Sequence, residues 1–176
     1  LKPPMQEVFE DAGFTVNPVM LDFYLEGAGK STAGEGSNYV GEAPLSAYTA
    51  AEYDSWEEYN DAAIVFIGRM GQEGNDVRTS TVENPDKTML EFGDNEMALI
   101  DAALENFDKV VVLLNTMNPM ECGPLLDKNV SILWVGAGGQ QGLRAIPNQL
   151  RGGYNPSGRL VDTYVYDNFS APAMVN

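Results

Sequence analysis

Three short apolar runs punctuate the chain: Ala-Ala-Ile-Val-Phe-Ile at 62–67, Lys-Val-Val-Val-Leu-Leu at 109–114 and Val-Ser-Ile-Leu-Trp-Val at 130–135. Each is too short for a core helix and rich in β-branched residues. Each is followed by polar or glycine residues, so each reads as a strand buried on both faces. A different rhythm fills the intervals. Within 94–107, Met97, Ile100, Leu104 and Phe107 recur at i, i+3, i+7 and i+10 behind Asp94, a good N-cap residue, which predicts an amphipathic helix. Helices are also predicted over 3–12, with Pro3 and Pro4 in the first turn and Gly13 as the stop, over 18–25, and over 51–59. Two more are expected, a short one restarting at Asn118-Pro119 and running to Leu126, and one over 143–150 that Pro147 should distort. Residues 14–16 read as a short strand, and 161–166 alternate in character.

Strands alternating with helices imply parallel pairing through right-handed crossovers. The expected architecture is an α/β fold, a three-layer α/β/α sandwich around a mostly parallel sheet of about five or six strands. One domain over 1–176 accommodates it, since a chain of this length buries about 68–70% of its unfolded surface without staples. The glycine-rich stretch 27–47 keeps neither period and is expected to be a long surface loop. Residues 79–92 are irregular around the turn signal Asn84-Pro85-Asp86. Tyr53, Trp56 and Tyr59 sit at near-helical spacing and are expected in the core rather than as a sugar platform.

Charge narrows the partners. Twenty-six acidic residues against ten basic ones give a formal charge of -16, a surface that repels phosphate backbones and anionic membranes. Nucleic acid and membrane are therefore set aside, and a neutral ligand such as a sugar suits the surface better. There is no histidine, which removes histidine-based triads and histidine metal sites together; no metal or cofactor is expected. The single cysteine, Cys122, cannot form an internal disulfide and has no histidine to activate it, so it is expected to be inert. No run approaches the roughly 20 apolar residues that span a bilayer. The chain begins at Leu1 and closes on Phe169-Ser-Ala-Pro-Ala-Met-Val-Asn176, as if excised from a longer polypeptide, and the compartment stays open between cytoplasm and export.

The chemistry concentrates after the first strand. Gly71-Gln-Glu-Gly74 brackets one carboxylate with two glycines, so the backbone can turn sharply and Glu73 can stand clear of bulky neighbours. In open α/β sheets ligands bind beyond the carboxyl ends of the strands, where this loop lies. A loop glutamate is usually just solvated; position is what singles this one out. A carboxylic acid there can protonate a leaving oxygen, as glycoside hydrolysis requires opposite a second carboxylate. Competing motifs fall short. Gly136-Ala-Gly-Gly-Gln-Gln-Gly142 has Gln141 where a dinucleotide fingerprint needs its third glycine, and Gly27-Ala-Gly-Lys-Ser31 lacks the spacing of a P-loop. The first is read as a strand-to-helix turn, able to shape one wall of a shared cleft.

These segments, and above all Asn155-Pro-Ser-Gly-Arg-Leu-Val-Asp-Thr163, resemble the α/β sandwich domain of family 3 glycoside hydrolases, the β-glucosidase group. The likeness runs from about residue 3 to the end. It implies a bacterial-type retaining β-glycosidase in which this domain docks on a (β/α)8 barrel that carries an aspartate nucleophile. The substrate would be a β-linked oligosaccharide or glucoside. In some family members the sandwich precedes the barrel, and the way this chain ends fits that order. The family's acid/base loop has a Gly-Glu-Gly-x-Asp-Arg-like pattern, which maps onto Gln72-Glu-Gly-Asn-Asp-Val-Arg78 and implies Glu73 as acid/base. Arg69, Met70, Gln72 and Asp76 are the expected substrate-binding neighbours. Gln72 stands where glycine is common, and Val77 separates Asp76 from Arg78, which are adjacent in many relatives. The alternative is a non-catalytic carbohydrate-binding or scaffold domain that kept the fold without the chemistry.

Overall fold

A computed structural model describes residues 5–30, 40–71, 73–74, 76–139 and 141–170. Its frame is a parallel sheet of β1 (Ala63–Gly68), β2 (Val110–Asn115) and β3 (Ser131–Trp134), in that spatial order. Register pairs Val65 with Val112 and Leu113 with Leu133. All three apolar runs are therefore strands. Val112, Leu113 and Leu114 of β2 are at most 1% exposed, because β2 is flanked on both sides and covered on both faces.

Side-chain alternation along the strands divides the core in two. Val65, Ile67, Val112 and Leu114 point to one face, which is covered by α2 (Pro18–Leu25), α3 (Ala50–Glu58) and α4 (Asp94–Asn106) through residues such as Phe23, Trp56 and Ile100. Ile64, Val111, Leu113 and Leu133 point to the other, covered by α1 (Met5–Asp11) and α5 (Ala145–Leu150) through Phe9 and Ile146. Of the aromatic stripe expected in the core, Trp56 is buried, its indole N–H spent on the Met20 sulfur, whereas Tyr53 is 39% exposed and Tyr59 only half-buried.

Several expectations are corrected. Among the described residues the sheet has three strands, not five or six. Residues 14–16 pair with no strand; Phe14 and Val16 use their side chains against the Phe9–Ile146 cluster instead. Residues 161–166 are irregular and pair with no strand; Val161 is 86% exposed, while Tyr164 packs half-buried against the larger core cluster. The helix expected over 118–126 shrinks to a single 3-10 turn, Gly123–Leu125, because Gly123 and Pro124 break it. Asp94 is the first residue of α4, and Gly93 is the cap. Helix α5 tolerates Pro147 because it is the third residue, where an N–H would have no intrahelical partner. Of the stretch 27–47, residues 31–39 lie outside the described residues; Leu45–Ala47 form a 3-10 turn. Among the described residues no helix is long and apolar enough to cross a membrane.

Candidate functional site

The carboxyl ends of β1 and β2 lie side by side, Gly68 opposite Asn115. A cleft of ≈ 530 Å³ opens beyond them, lined by Arg69, Gly71, Glu73, Asp76 and Val77 from the loop after β1 and by Met117 and Asn118 from the loop after β2. Both loops are shaped by local chemistry. Gly74 has φ +74°, which L side chains rarely adopt, and this lets the chain reverse directly after Glu73. A Cβ on Gly71 would meet Val77 Cγ2 at 2.8 Å, so the two arms of the loop close on each other only because Gly71 has none. Glu73 and Asp76 sit on this turn, exposed at the mouth of the cleft.

The opposite wall is set by Thr116. Its buried hydroxyl accepts the Asn118 N–H at 2.9 Å, folding the chain into a tight turn. The Trp134 indole donates to the Thr116 carbonyl at 2.8 Å, which ties that turn to β3. Met117 is thereby left 69% exposed beside the carboxylates.

The expected site residues separate into three groups. Glu73 and Asp76 share the cleft. Met70 is exposed, at 39%, but does not line it. Gln72 lies outside the described residues. Arg69 has a different role from the direct ligand contact expected of it, because its side chain is 1% exposed. Nε donates to the Met89 carbonyl, Nη1 to the Gly68 carbonyl and Glu96 Oε1, and Nη2 to the Glu91 carbonyl and Glu96 Oε2. A guanidinium has five N–H donors, and these five bonds use them all, leaving none for a hydroxyl of a ligand. The pair with Glu96 is bidentate, at 2.7 and 2.8 Å. Glu96 Oε2 also accepts the Gly93 N–H at the start of α4, so one carboxylate caps the helix and holds the arginine.

Sequence reasoning missed Met117, Asn118 and Glu96. The first two were findable: Asn118-Pro119 is a turn signal just past the second apolar run, and adjacent parallel strands bring such turns together. Glu96 gave no signal, being one acid among 26. The glycine-rich loop 136–142 does not line this cleft among the described residues. Its entry is fixed instead by the Asn115 side chain, which donates to the Gly136 carbonyl. Burial pushes the Cys122 thiol above its usual range, which disfavours the nucleophilic thiolate. Among the described residues no group of acidic or cysteine side chains is arranged to hold a metal ion.

Comparison with known proteins gives a consistent set of relatives. Residues 10–173 match the family described as the glycosyl hydrolase family 3 C-terminal domain. The chain is 29% identical over 171 residues to thermostable beta-glucosidase B of Acetivibrio thermocellus, an alignment that covers 97% of this chain and 20% of that protein. It is 31% identical over 120 residues to a beta-glucosidase of Ruminococcus albus, covering 68% of this chain and 12% of that protein. It is 27% identical over 134 residues to the "Probable beta-glucosidase D" of Aspergillus flavus, covering 75% and 16%. The chain thus spans a fifth or less of the length of these relatives, which come from bacteria and a fungus alike, so the bacterial assignment does not follow.

Proposed function

Because this chain belongs to the family of glycosyl hydrolase family 3 C-terminal domains, we propose that it supplies the general acid/base, Glu73, and one wall of the sugar cleft to a partner (β/α)8 barrel. The reaction is hydrolysis of terminal β-linked glycosides with retention of configuration. The observation that carries this reading is the placement of Glu73: exposed, on a glycine-enforced turn, in a cleft beyond the carboxyl ends of two parallel strands.

In the first step a carboxylate of the barrel attacks the anomeric carbon, the bond to the leaving oxygen breaks, and Glu73 gives that oxygen its proton. In the second, water attacks the glycosyl-enzyme carbon while Glu73 takes the water's proton, releasing the sugar and the barrel carboxylate. The chemistry requires the two carboxyls about 5–5.5 Å apart once the domains dock. The isolated domain lacks the nucleophile and is therefore inactive. Asp76 contributes to substrate binding from the cleft, Gln72 and Met70 are assigned the same role from the loop pattern, and Met117 and Val77 offer the leaving group an apolar surface.

Glu73→Gln in the full-length enzyme tests this. Turnover of a natural disaccharide should fall by about 10²-fold or more, while a glucoside with an activated phenol, which leaves without protonation, loses far less in the first step. An unchanged rate with the disaccharide would remove the acid/base assignment and leave a binding or scaffold role.

A further inference from the structure

We propose that Glu96 is a positioning residue for the acid/base loop, acting through Arg69; this rests on the reading of Glu73 given above. Arg69 is the residue at which the chain leaves β1. Its backbone N–H makes a 3.3 Å bond to the Asn115 carbonyl, and one residue later the loop begins. Glu73 is four residues further on, in a turn closed by the approach of Val77 to Gly71. The orientation of that turn thus depends on how rigidly Arg69 is held.

Glu96 holds it from across the crossover. Both of its oxygens engage the guanidinium, one of them is also fixed by the Gly93 N–H, and its side chain is 6% exposed. The planar fork of arginine makes such a grip directional. The remaining donors of Arg69 pin the carbonyls of Met89 and Glu91, so the irregular stretch 79–92 is fastened to the same post. The start of α4, the end of β1 and the root of the catalytic loop are joined at one buried carboxylate. A glutamine in its place keeps the shape but turns one acceptor into a donor, leaving one arm of the fork unpaired in a buried site.

The test is a leaving-group series on full-length Glu96→Gln, with Glu73→Gln alongside, read as kcat/KM, which reports formation of the glycosyl-enzyme and not the base-assisted second step. A displaced acid/base hurts substrates that need their leaving oxygen protonated, whereas a lower folded fraction slows every substrate alike. The expected result is a loss of about 10- to 100-fold for methyl β-glucoside, the scale of an ångström-sized misplacement. For 2,4-dinitrophenyl β-glucoside the loss stays below about 3-fold, because that departure needs no acid. The ratio between substrates is independent of how much protein is folded. If the amide variant yields no folded enzyme, Glu96→Asp is read by the same ratio. An equal loss on both substrates overturns the proposal and makes Glu96 a stabilising residue only. A flat series for Glu73→Gln overturns the acid/base reading itself, and the inference with it.

Discussion

Glu42 is a carboxyl whose surroundings set its protonation. Its Oε1 lies 3.0 Å from the Tyr24 hydroxyl and 3.2 Å from that of Tyr48, and the two hydroxyls are 2.6 Å apart. Three oxygens in a triangle need three protons to bond along every edge. Two tyrosines bring two, so a protonated Glu42 completes the set. Burial pushes this carboxyl above its ordinary 4.5, outweighing the donors from Tyr24, Ala43 and Tyr48. Burial and the facing Glu42 carboxyl likewise push both tyrosine hydroxyls up. A carboxyl raised on folding keeps its proton in the native state while the unfolded chain gives its own up. Its contribution to stability is full below 4.5 and is lost as pH rises through the folded value. Melting wild type and Glu42→Gln between about pH 4 and pH 7 should show the wild type losing ground to the variant as pH rises. A difference that stays constant with pH would refute this account of the triangle.

The same scale explains what the sequence could reveal of the site. The turn that carries Glu73 was legible because two glycines and a strand end marked it, and Gly71 and Gly74 each have a steric reason to be there. Arg69 was legible as part of the site but not in its role. A guanidinium beside a strand-end loop looks like a ligand donor until its five bonds are traced, and its partner Glu96 stands 27 residues away with no pattern to announce it.

Among elements, β2 bears the most. Leu113 and Leu114 on its two faces belong to separate clusters, so the strand joins both halves of the core. Leu113→Ala should cost about 2–5 kcal/mol in urea unfolding, the range for a fully buried leucine. Phe66→Ala on the edge strand β1, where the ring is 38% exposed, should cost clearly less. Equal losses would mean that β2 is not the centre of the core. The three strands and α4 could be read from the chain because unbroken apolar runs and a sustained 3.6-residue period survive any tertiary context. The strand count could not. At residues 14–16 an apolar side chain packing under a helix and one riding on a paired strand leave the same trace in the sequence. The same ambiguity moved the cap of α4 by one residue, since Gly93 serves once Glu96 reaches back to its N–H.

At the scale of the whole molecule, the domain is one part of a larger machine in the reading proposed here. The Acetivibrio and Ruminococcus relatives are at least five times as long as the stretch they match, and among the described residues the cleft is lined by two carboxylates, Glu73 and Asp76. A formal charge of -16 disfavours polyanionic ligands and is compatible with the neutral sugar of that reading. The family likeness was legible end to end because the Asn-Pro-Ser-Gly-Arg-Leu segment and the order of the loops are local features. The docked geometry was not, since it depends on residues outside this chain.

The central claim is that Glu73 moves the proton in both steps, and azide tests it most directly. In full-length Glu73→Ala, an activated aryl glucoside still forms the glycosyl-enzyme, but water attacks it slowly without a base. Azide is a nucleophile that needs no deprotonation. The account predicts that added azide restores turnover by about 10²-fold or more and that the product is the glycosyl azide. A variant that turns over at the wild-type rate without azide, or that azide leaves unchanged, would contradict it.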